Sequence, residues 1–355
     1  MKSGIHKWRG ILVAVAAAVL FGASTPLAKR LLPEVSPWLM AGLLYLGSGV
    51  GLFLYRMLRS SRGTNASAEA SLSRKDVPWL AGAVLCGGIV GPVLLMAGLA
   101  VTPASTSSLL LNLEGVFTAL LAWFVFRENF DPRIAWGMAL ITAGAIALSW
   151  MGGVDTAAPW GSLAVVGACL AWAIDNNLTR KVSASDPTQI AMIKGLVAGV
   201  VNTGLALAMG AKLPAAGSLI ATGVVGFLGY GVSLALFVLA LRHLGTARTG
   251  AYFSLAPFVG ALVSILMFTE PVTAGFLIGS LLMVAGVWLH LTERHVHTHE
   301  HEFMQHEHSH HHDEHHQHQH GPGDPPGEPH SHWHRHEPMI HSHEHYPDLH
   351  HRHHH

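Results

Sequence analysis

Ten long apolar runs fill residues 1–294 and constrain the fold more than any other feature of this sequence. A helix needs ~20 apolar residues to cross the hydrocarbon core of a bilayer. Only 12% of the 355 residues are charged, against roughly 25% in a soluble domain. A soluble fold has too little interior to bury so much apolar surface, so we predict an all-α integral membrane protein. The predicted spans are residues 10–28, 37–55, 77–102, 104–126, 132–151, 160–178, 187–211, 215–241, 247–269 and 271–291.

Lysine and arginine are unequally distributed between the loops on the two sides of the predicted bundle. The side that holds the N-terminus carries 15 of them, and the opposite side carries 3. Because cytoplasmic loops are enriched in these residues, we expect a multi-pass protein of the plasma (inner) membrane with both termini in the cytoplasm. The N-terminus has the charge pattern of a signal peptide, but similar apolar runs follow it, so we interpret it as an uncleaved first span.

The two halves of the apolar region resemble each other. Residues 10–30 (GILVAVAAAVLFGASTPLAKR) align with 161–181 (GSLAVVGACLAWAIDNNLTRK) at an offset of 151, and 113–128 align with 255–270 at an offset of 142. Each copy holds five spans, and this odd number makes the second copy enter the membrane from the opposite side. Inverted repeats of this kind are typical of secondary transporters with alternating access. The predicted units are a first five-helix repeat at 1–155, a second at 156–294 and a tail at 295–355.

Short phrases in both halves resemble a known family of membrane carriers. The first span contains FGASTP at residues 21–26, followed by Lys29, and span nine contains PFVGALVSILMFTE at 257–270. A glutamate followed by two glycines occurs twice, as Glu128, Gly137 and Gly144 and as Glu270, Gly279 and Gly286. Over residues 10–291 the sequence is similar to the EamA-type branch of the drug/metabolite transporter superfamily. The resemblance implies a carrier of small solutes, usually an exporter of metabolites or drugs.

Two positions depart from the pattern of that family. Gly115 stands where such repeats commonly carry proline. A basic residue is expected in span two, yet the position equivalent to Lys194 is Leu44 at an offset of 150.

Three ionisable residues lie inside predicted spans, where a charge costs at least ~2.5–3.5 kcal/mol to insert. Glu114 lies about ten residues into its span, at ~15 Å of helical rise, and either lines a central cavity or is a satisfied structural carboxyl. Asp175 lies either in that cavity or at the polar cytoplasmic end of span six. Lys194 either extends to the cytoplasmic interface or pairs with Asp175 or Glu114. All three are candidate residues for binding substrate or coupling protons.

Uncharged polar residues in the spans are further candidates. Asn112, Asn176, Ser24 and Thr25 bond either a polar substrate or the neighbouring helices, as such side chains commonly do in membranes. Desolvation disfavours the charged form of a buried carboxylate, so proton-coupled antiport is our hypothesis for the mechanism. No Gly-x-x-x-x-Gly-Lys-Ser/Thr run occurs to bind ATP. No catalytic arrangement is readable either, and we expect no enzymatic activity.

The tail at 295–355 has a different composition, with 25 of the 28 histidines and ten acidic residues against two arginines. Its low hydrophobicity and biased composition predict disorder. His-x-His pairs place two imidazoles on one side of an extended chain, and imidazole suits Zn, Cu and Ni. The candidate metal ligands are His295, His297, His299, His301, His306, His308, His310, His311, His312, His315, His316, His318, His320, His330, His332, His334, His336, His341, His343 and His345.

Two functional hypotheses follow from these features. The leading one is a secondary active exporter of small metabolites or drugs whose tail binds a divalent transition metal (Zn, Ni, Co or Cu) and regulates transport, although a tail without metal function stays open. The alternative makes Ni, Co or Zn the cargo, which the tail collects for export. A membrane-anchored metal store is disfavoured because it needs no inverted repeat. The expected partners are the lipid bilayer, a small-molecule substrate and metal ions. Balanced charges of 21 and 21 argue against nucleic acid, and a homodimer stays open.

Overall fold

The computed structural model describes residues 2–61, 72–125, 132–151, 159–182, 186–244, 252–291, 295–301, 304–310, 330–336 and 339–345. From Lys2 to Leu291 the elements in these ranges are all helical, as the sequence predicts. The helices of the first half are α1 (Lys2–Leu31), α2 (Pro37–Ser61), α3 (Val77–Ala83), α4 (Gly91–Val101), α5 (Ala104–Leu110), α6 (Leu113–Phe124) and α7 (Pro132–Met151). Those of the second half are α8 (Pro159–Arg180), α9 (Pro187–Ala208), α10 (Ala216–Gly226), α11 (Ser233–Leu244), α12 (Ala256–Phe268) and α13 (Ala274–Leu291).

Many of these helices have the dimensions of membrane spans. Among the described residues, six helical stretches are long and apolar enough to cross a bilayer. Three further apolar helices are shorter, namely Ala135–Leu148, Ala256–Phe268 and Ala274–Leu289. Each of the ten predicted spans contains a helix in the structure. The helices therefore agree with the integral membrane class that the sequence predicts.

Two of the predicted spans contain a π-helical stretch. The first π stretch is Val84–Val90, between α3 and α4, and the second is Phe227–Val232, between α10 and α11. Their hydrogen bonds reach one residue further than in an α-helix, as where the N–H of Gly91 donates to the carbonyl of Cys86. Wide turns of this kind are frequent at functional sites. The sequence predicted ordinary helix at both places.

Two predicted spans are broken by a turn. Leu111 and Asn112 separate α5 from α6, and their N–H groups donate to carbonyls three residues back, at 3.3 and 3.0 Å. The side-chain amide of Asn112 also donates to the Leu109 carbonyl at 2.9 Å, which occupies a carbonyl that a continuous helix would use. A turn at 254–255 precedes α12 in the second half. The sequence predicts spans over 104–126 and 247–269 and does not indicate either turn.

Glycines bring helices of the two halves into close contact. A Cβ atom on Gly144 of α7 would lie 2.7 Å from the carbonyl oxygen of Gly279 in α13, and one on Gly286 would lie 2.6 Å from that of Gly137. Real Cβ atoms do not approach carbonyl oxygens so closely. A second crossing joins α2 to α9, where a Cβ atom on Gly49 would lie 2.4 Å from the α9 backbone. Small residues of this kind let membrane helices pack tightly.

The variant Gly144→Ala is expected to lower the thermal unfolding temperature, because α7 and α13 must separate to admit a methyl group. Overpacking of this kind typically costs about 1–3 kcal/mol. Gly204→Ala in α9 is the matched control, since a Cβ atom there meets nothing within 4 Å. It should leave the unfolding temperature unchanged or raise it, since Ala favours helix. Thermal unfolding of the purified variants in detergent measures both, and equal unfolding temperatures would contradict the close crossing.

Charged side chains bond the helix ends at both ends of the bundle. Lys29 donates to carbonyls at the C-terminal end of α4, among them that of Ala100 at 3.1 Å. The carboxylate of Glu270 accepts the first two N–H groups of α5 at 2.9 and 3.1 Å. At the other end, Arg56 of α2 pairs with Asp186, which precedes α9. Basic groups at helix C-termini and acidic groups at N-termini complement the helix dipole.

The tail forms strands where we predicted disorder, and the prediction was wrong for these residues. The strands are β1 (His295–His301), β2 (Met304–His310), β3 (His330–His336) and β4 (Met339–His345). β1 pairs antiparallel with β4, and β2 pairs antiparallel with β3. The prediction rested on low hydrophobicity, whereas the alternation of histidine with another residue has the two-residue period of a strand. For the rest of the tail, the predicted disorder lies outside the described residues.

Candidate functional site

A buried ion pair joins α8 to α9. The Lys194 ammonium lies 2.5 Å from Oδ1 and 2.7 Å from Oδ2 of Asp175, and the two side chains are 17% and 7% exposed. The hydroxyl of Thr179 donates to the same carboxylate at 2.8 Å and accepts from Lys194 at 3.2 Å. The sequence left Lys194 with a choice between the interface and a carboxylate. The structure gives it Asp175 as partner.

The start of α9 determines how deep Lys194 lies. Asp186 caps this helix by accepting the N–H groups of Thr188 and Gln189 at 2.8 and 3.2 Å. Lys194 follows this cap by two helical turns, which is about 12 Å of rise. The Lys194 ammonium therefore meets the Asp175 carboxylate two turns away from the start of α9, within the bundle.

Glu114 and Asn176 form a second contact, between α6 and α8. The Asn176 amide donates to Glu114 Oε1 at 2.8 Å and to the Thr118 hydroxyl at 3.4 Å. Asn176 follows Asp175 directly, so consecutive residues of α8 bond the charged groups of Glu114 and Lys194 from two other helices. We refer to the resulting set as the polar cluster, which consists of Glu114, Asp175, Asn176, Thr179 and Lys194.

The side of α8 that bears Asn176 faces away from its lipid-facing side. Asn176 of α8 and Gly115 of α6 are both exposed. Leu163 and Leu170 mark the lipid-facing side of α8, with 66% and 42% of their surface exposed. At about 100° per residue, Asn176 is rotated about 120–140° away from that side. Asn176 therefore lies on the side of α8 that contacts Glu114 of α6.

The first π stretch forms the wall against which Asp175 packs. A Cβ atom on Gly87 would lie 1.8 Å from Asp175 Oδ2, so the ion pair needs glycine here. The Gly87 carbonyl accepts hydrogen bonds from Tyr45 Oη and Trp172 Nε1, both at 2.8 Å. Sequence reasoning missed both aromatic residues, because Tyr and Trp within an apolar span look like lipid-facing residues.

An aromatic cluster adjoins the polar cluster. The ring centroid of Tyr45 lies 5.5 Å from that of Tyr230 in the second π stretch, and Tyr230 lies 5.7 Å from Phe21. Phe21 lies 5.4 Å from Phe253. Tyr45 belongs to both neighbourhoods, since its hydroxyl bonds the wall behind Asp175 and its ring contacts Tyr230. We define the aromatic cluster as Phe21, Tyr45, Tyr230 and Phe253.

The structure does not bring the remaining predicted residues into the polar cluster. Asn112 is buried at the break between α5 and α6, where its amide donates to Leu109 and lies 3.9 Å from the Met283 sulfur. The Ser24 hydroxyl donates to the Phe21 carbonyl at 2.6 Å. Thr25 is buried beside it. Asn112 and Ser24 therefore make contacts within the bundle itself.

The predicted metal ligands belong to the tail. Fourteen of the twenty lie on strands β1–β4. The other six lie outside the described residues, namely His311, His312, His315, His316, His318 and His320. Within the part of the chain that the structure describes, no group of three or more His, Cys, Asp or Glu residues is placed to hold a metal ion. Metal binding by the tail stays a prediction.

Comparison with known proteins identifies the family. The EamA-like transporter family matches residues 8–150 and 159–292 of this chain. An uncharacterized transporter of Methanothermobacter thermautotrophicus is 29% identical over 293 residues, which cover 79% of this chain and 85% of that protein. The uncharacterized inner membrane transporter YedA of Escherichia coli K12 is 25% identical over 237 residues, 64% of this chain and 72% of YedA.

A solved crystal structure supports the same fold. It matches with a TM-score of 0.59 at 17% sequence identity and covers 79% of this chain and 95% of the solved one. The family match extends over more than half of the chain, and the relatives are named as transporters and not as enzymes. This chain is therefore a membrane transporter of small substrates and belongs to the EamA-like transporter family.

Proposed function

We propose that this protein is a secondary active exporter of small metabolites or drugs. Two inverted five-helix units, residues 1–155 and 156–294, alternate access to a site between them in the plasma (inner) membrane. Both termini lie in the cytoplasm, where the histidine tail binds a divalent transition metal and regulates transport. The observation that carries the proposal is the Asp175–Lys194 ion pair within the helix bundle, next to the contact between Asn176 and Glu114.

Reciprocal glycine contacts support the inverted repeat. The offset of 142 between the two halves aligns Gly137 with Gly279 and Gly144 with Gly286. The contact of Gly144 with Gly279 thus has its counterpart in the contact of Gly286 with Gly137. A pair of contacts that exchange in this way is what a two-fold axis between α7 and α13 would produce.

A second pair of contacts follows the same relation inside the bundle. Asp175 packs on Gly87 in the first π stretch, and Ser24 packs on Gly229 in the second, where a Cβ atom would lie 2.5 Å from the Ser24 Cβ. Ser24 aligns with Asp175 at the offset of 151, and Gly87 aligns with Gly229 at the offset of 142. Two copies of one backbone arrangement with different chemistry would produce such contacts. Only the second half places a charge at this position.

The polar cluster suggests how transport is driven. A carboxylate with few partners inside a membrane span is costly to keep charged, and the half-buried Glu114 has the Asn176 amide as hydrogen-bond donor. Proton uptake by Glu114 lets the cluster cross between inward- and outward-facing states with less charge. Release of that proton on one side couples solute export to the proton gradient. Proton-coupled antiport is therefore the mechanism that we propose.

The position of Tyr45 between the clusters suggests the substrate class. Its hydroxyl lies on the polar side at Gly87, and its ring lies against Tyr230 on the aromatic side. A solute that occupies both neighbourhoods needs a polar or charged head and an apolar or aromatic body. Pockets for small molecules commonly combine apolar walls with a few polar anchors in this way.

The alternative cargo, a Ni, Co or Zn ion, fits the polar cluster less well. Lys194 already neutralises Asp175, and its positive charge repels a divalent cation. Glu114 is engaged by Asn176. Imidazole and thiolate are the ligands that suit these metals, and neither belongs to the cluster. These contacts favour an organic solute.

Comparison of exported solutes tests the proposal. Cells that express the full chain are expected to accumulate specific small solutes in the medium, relative to cells that express the double variant Asp175→Asn/Lys194→Met. Intracellular Ni, Co and Zn are measured in the same cells, with a chain truncated after Glu293 and with Glu114→Gln. Metal content that falls with the full chain but not with Glu114→Gln would make metal the cargo and reject the proposal.

A further inference from the structure

The four strands of the tail share a single register. His295 lies opposite His345 in one strand pair, and His310 lies opposite His330 in the other. The two residue numbers of every opposed pair add up to the same value, 640, in both strand pairs. Both strand pairs therefore have the register that a single antiparallel hairpin would give, with β1 and β2 in one arm and β3 and β4 in the other.

Every histidine on these strands lies opposite a residue whose side chain can ligate a metal ion, either histidine or methionine. Six of the register pairs join two histidines, namely 295 with 345, 297 with 343, 299 with 341, 306 with 334, 308 with 332 and 310 with 330. The other two histidines, His301 and His336, lie opposite Met339 and Met304. A thioether is a ligand for soft metal ions. No histidine of the described strands lies opposite an apolar residue without a ligand atom.

The histidines of both arms change phase at the same place. They occupy odd positions in β1 and β4 and even positions in β2 and β3. Because successive residues of a strand belong to opposite faces, a hairpin in this register would carry the two histidine rows on opposite faces. A change in one arm alone would leave histidines opposite Glu, Ser or Ile. The matched change keeps the histidine pairs together.

We infer that the tail binds metal as a folded hairpin, through histidines paired across its two arms. Directly opposed residues have Cβ atoms about 4.5–5.5 Å apart, a separation that one ion with Zn–N bonds of about 2.0–2.1 Å can bridge. The inference rests on the metal-binding role proposed above and specifies the sites as register pairs on two opposite faces. Its ligand is a late first-row divalent cation such as Zn²⁺.

Pairs of two histidines leave coordination positions open, which suits a reversible metal sensor better than a permanent store. A two-stranded hairpin alone is marginally stable in water. An ion that ties the two arms together contributes its binding free energy to folding. Metal binding should therefore order the hairpin, and the ordered hairpin should bind metal more tightly than an extended chain of the same composition.

Two rearranged chains of unchanged composition test the inference. In the first, residues 295–301 are rewritten from HVHTHEH to VHTHEHH, which removes the three histidine pairs between β1 and β4. In the second, residues 339–345 are also rewritten, from MIHSHEH to IHSHEHM, which restores three pairs at positions 296, 298 and 300. The unchanged β2–β3 pair is an internal control in both chains.

Zinc affinity is measured on the full-length proteins in detergent, by competition with a chromophoric chelator. We expect the first chain to lose about tenfold in affinity at its tighter sites and the second to recover it, because paired ligands couple binding to folding. Hydrogen exchange with zinc bound should show protection of 295–301 in the natural and doubly rewritten chains alone. Equal affinity and protection in all three would overturn the hairpin but keep the metal-binding tail. Zinc binding no greater than that of a chain truncated after Glu293 would overturn both.

Discussion

Replacement of Lys194 by methionine is expected to abolish transport and to destabilise the bundle by about 3–5 kcal/mol, the usual cost of removing one partner of a buried ion pair. The Asp175 carboxylate is 7% exposed and would keep the Thr179 hydroxyl as its donor. An unpaired carboxylate inside the membrane then has to be neutralised or rehydrated, and both require the helices to move. Thermal unfolding and export of the identified solute measure the two effects.

The double variant Asp175→Asn/Lys194→Met separates stability from function. Replacement of both charges removes the unpaired ion, and such replacements are often neutral for stability. We expect the unfolding temperature to return close to that of the natural protein while export stays absent, because the charged site for the substrate head is gone. Export by a well-folded double variant would show that the pair is structural only, and our assignment of the site would then be wrong.

A control ion pair lies at the start of α9, the helix that carries Lys194. Arg56 pairs with Asp186 at the start of α9, and the two side chains are 32% and 13% exposed. Ion pairs near the surface typically contribute about 0–1 kcal/mol. Arg56→Met should therefore change the unfolding temperature little and leave export intact, although it too removes a cation that contacts α9. The contrast between Arg56 and Lys194 then measures the effect of burial.

The polar cluster was largely predictable because a charge in an apolar run is conspicuous. Glu114, Asp175 and Lys194 stand out in the sequence since each costs free energy to insert. Asp175 and Asn176 are consecutive, so their placement on one helix was also readable. What the sequence left open was the partner of each charge. That choice depends on how α6, α8 and α9 pack, and no local pattern encodes it.

The wall of the site was not predictable, for a physical reason. Tyr45 and Trp172 lie in apolar spans, where their hydropathy is the same whether they face lipid or bond the Gly87 carbonyl. The π stretch that contains Gly87 depends on tertiary hydrogen bonds, and glycine is frequent throughout this chain. The strands of the tail were missed differently. Composition predicted disorder, while the two-residue period of histidine carried the strand signal.

Replacement of Glu114 by glutamine is expected to abolish solute flux driven by a pH gradient. Glutamine keeps the size of the side chain and an oxygen that accepts from the Asn176 amide, so the contact between α6 and α8 persists. It cannot take up or release a proton. The variant should still exchange labelled solute across proteoliposome membranes without a gradient, because the ion pair between Asp175 and Lys194 stays intact.

Glu270→Gln is the matched control, since the same chemical change is made outside the polar cluster. Glu270 accepts the first N–H groups of α5 at 2.9 and 3.1 Å, and a glutamine oxygen preserves part of this cap. We expect Glu270→Gln to lower stability by about 0.5–2 kcal/mol, as the loss of a helix cap does, while gradient-driven flux continues. Gradient-driven flux in Glu114→Gln at the natural rate would exclude this carboxyl as the proton carrier. Asp175 would then be the remaining carboxylate of the cluster that could carry the proton. It would have to separate from Lys194 whenever it is protonated in the transport cycle.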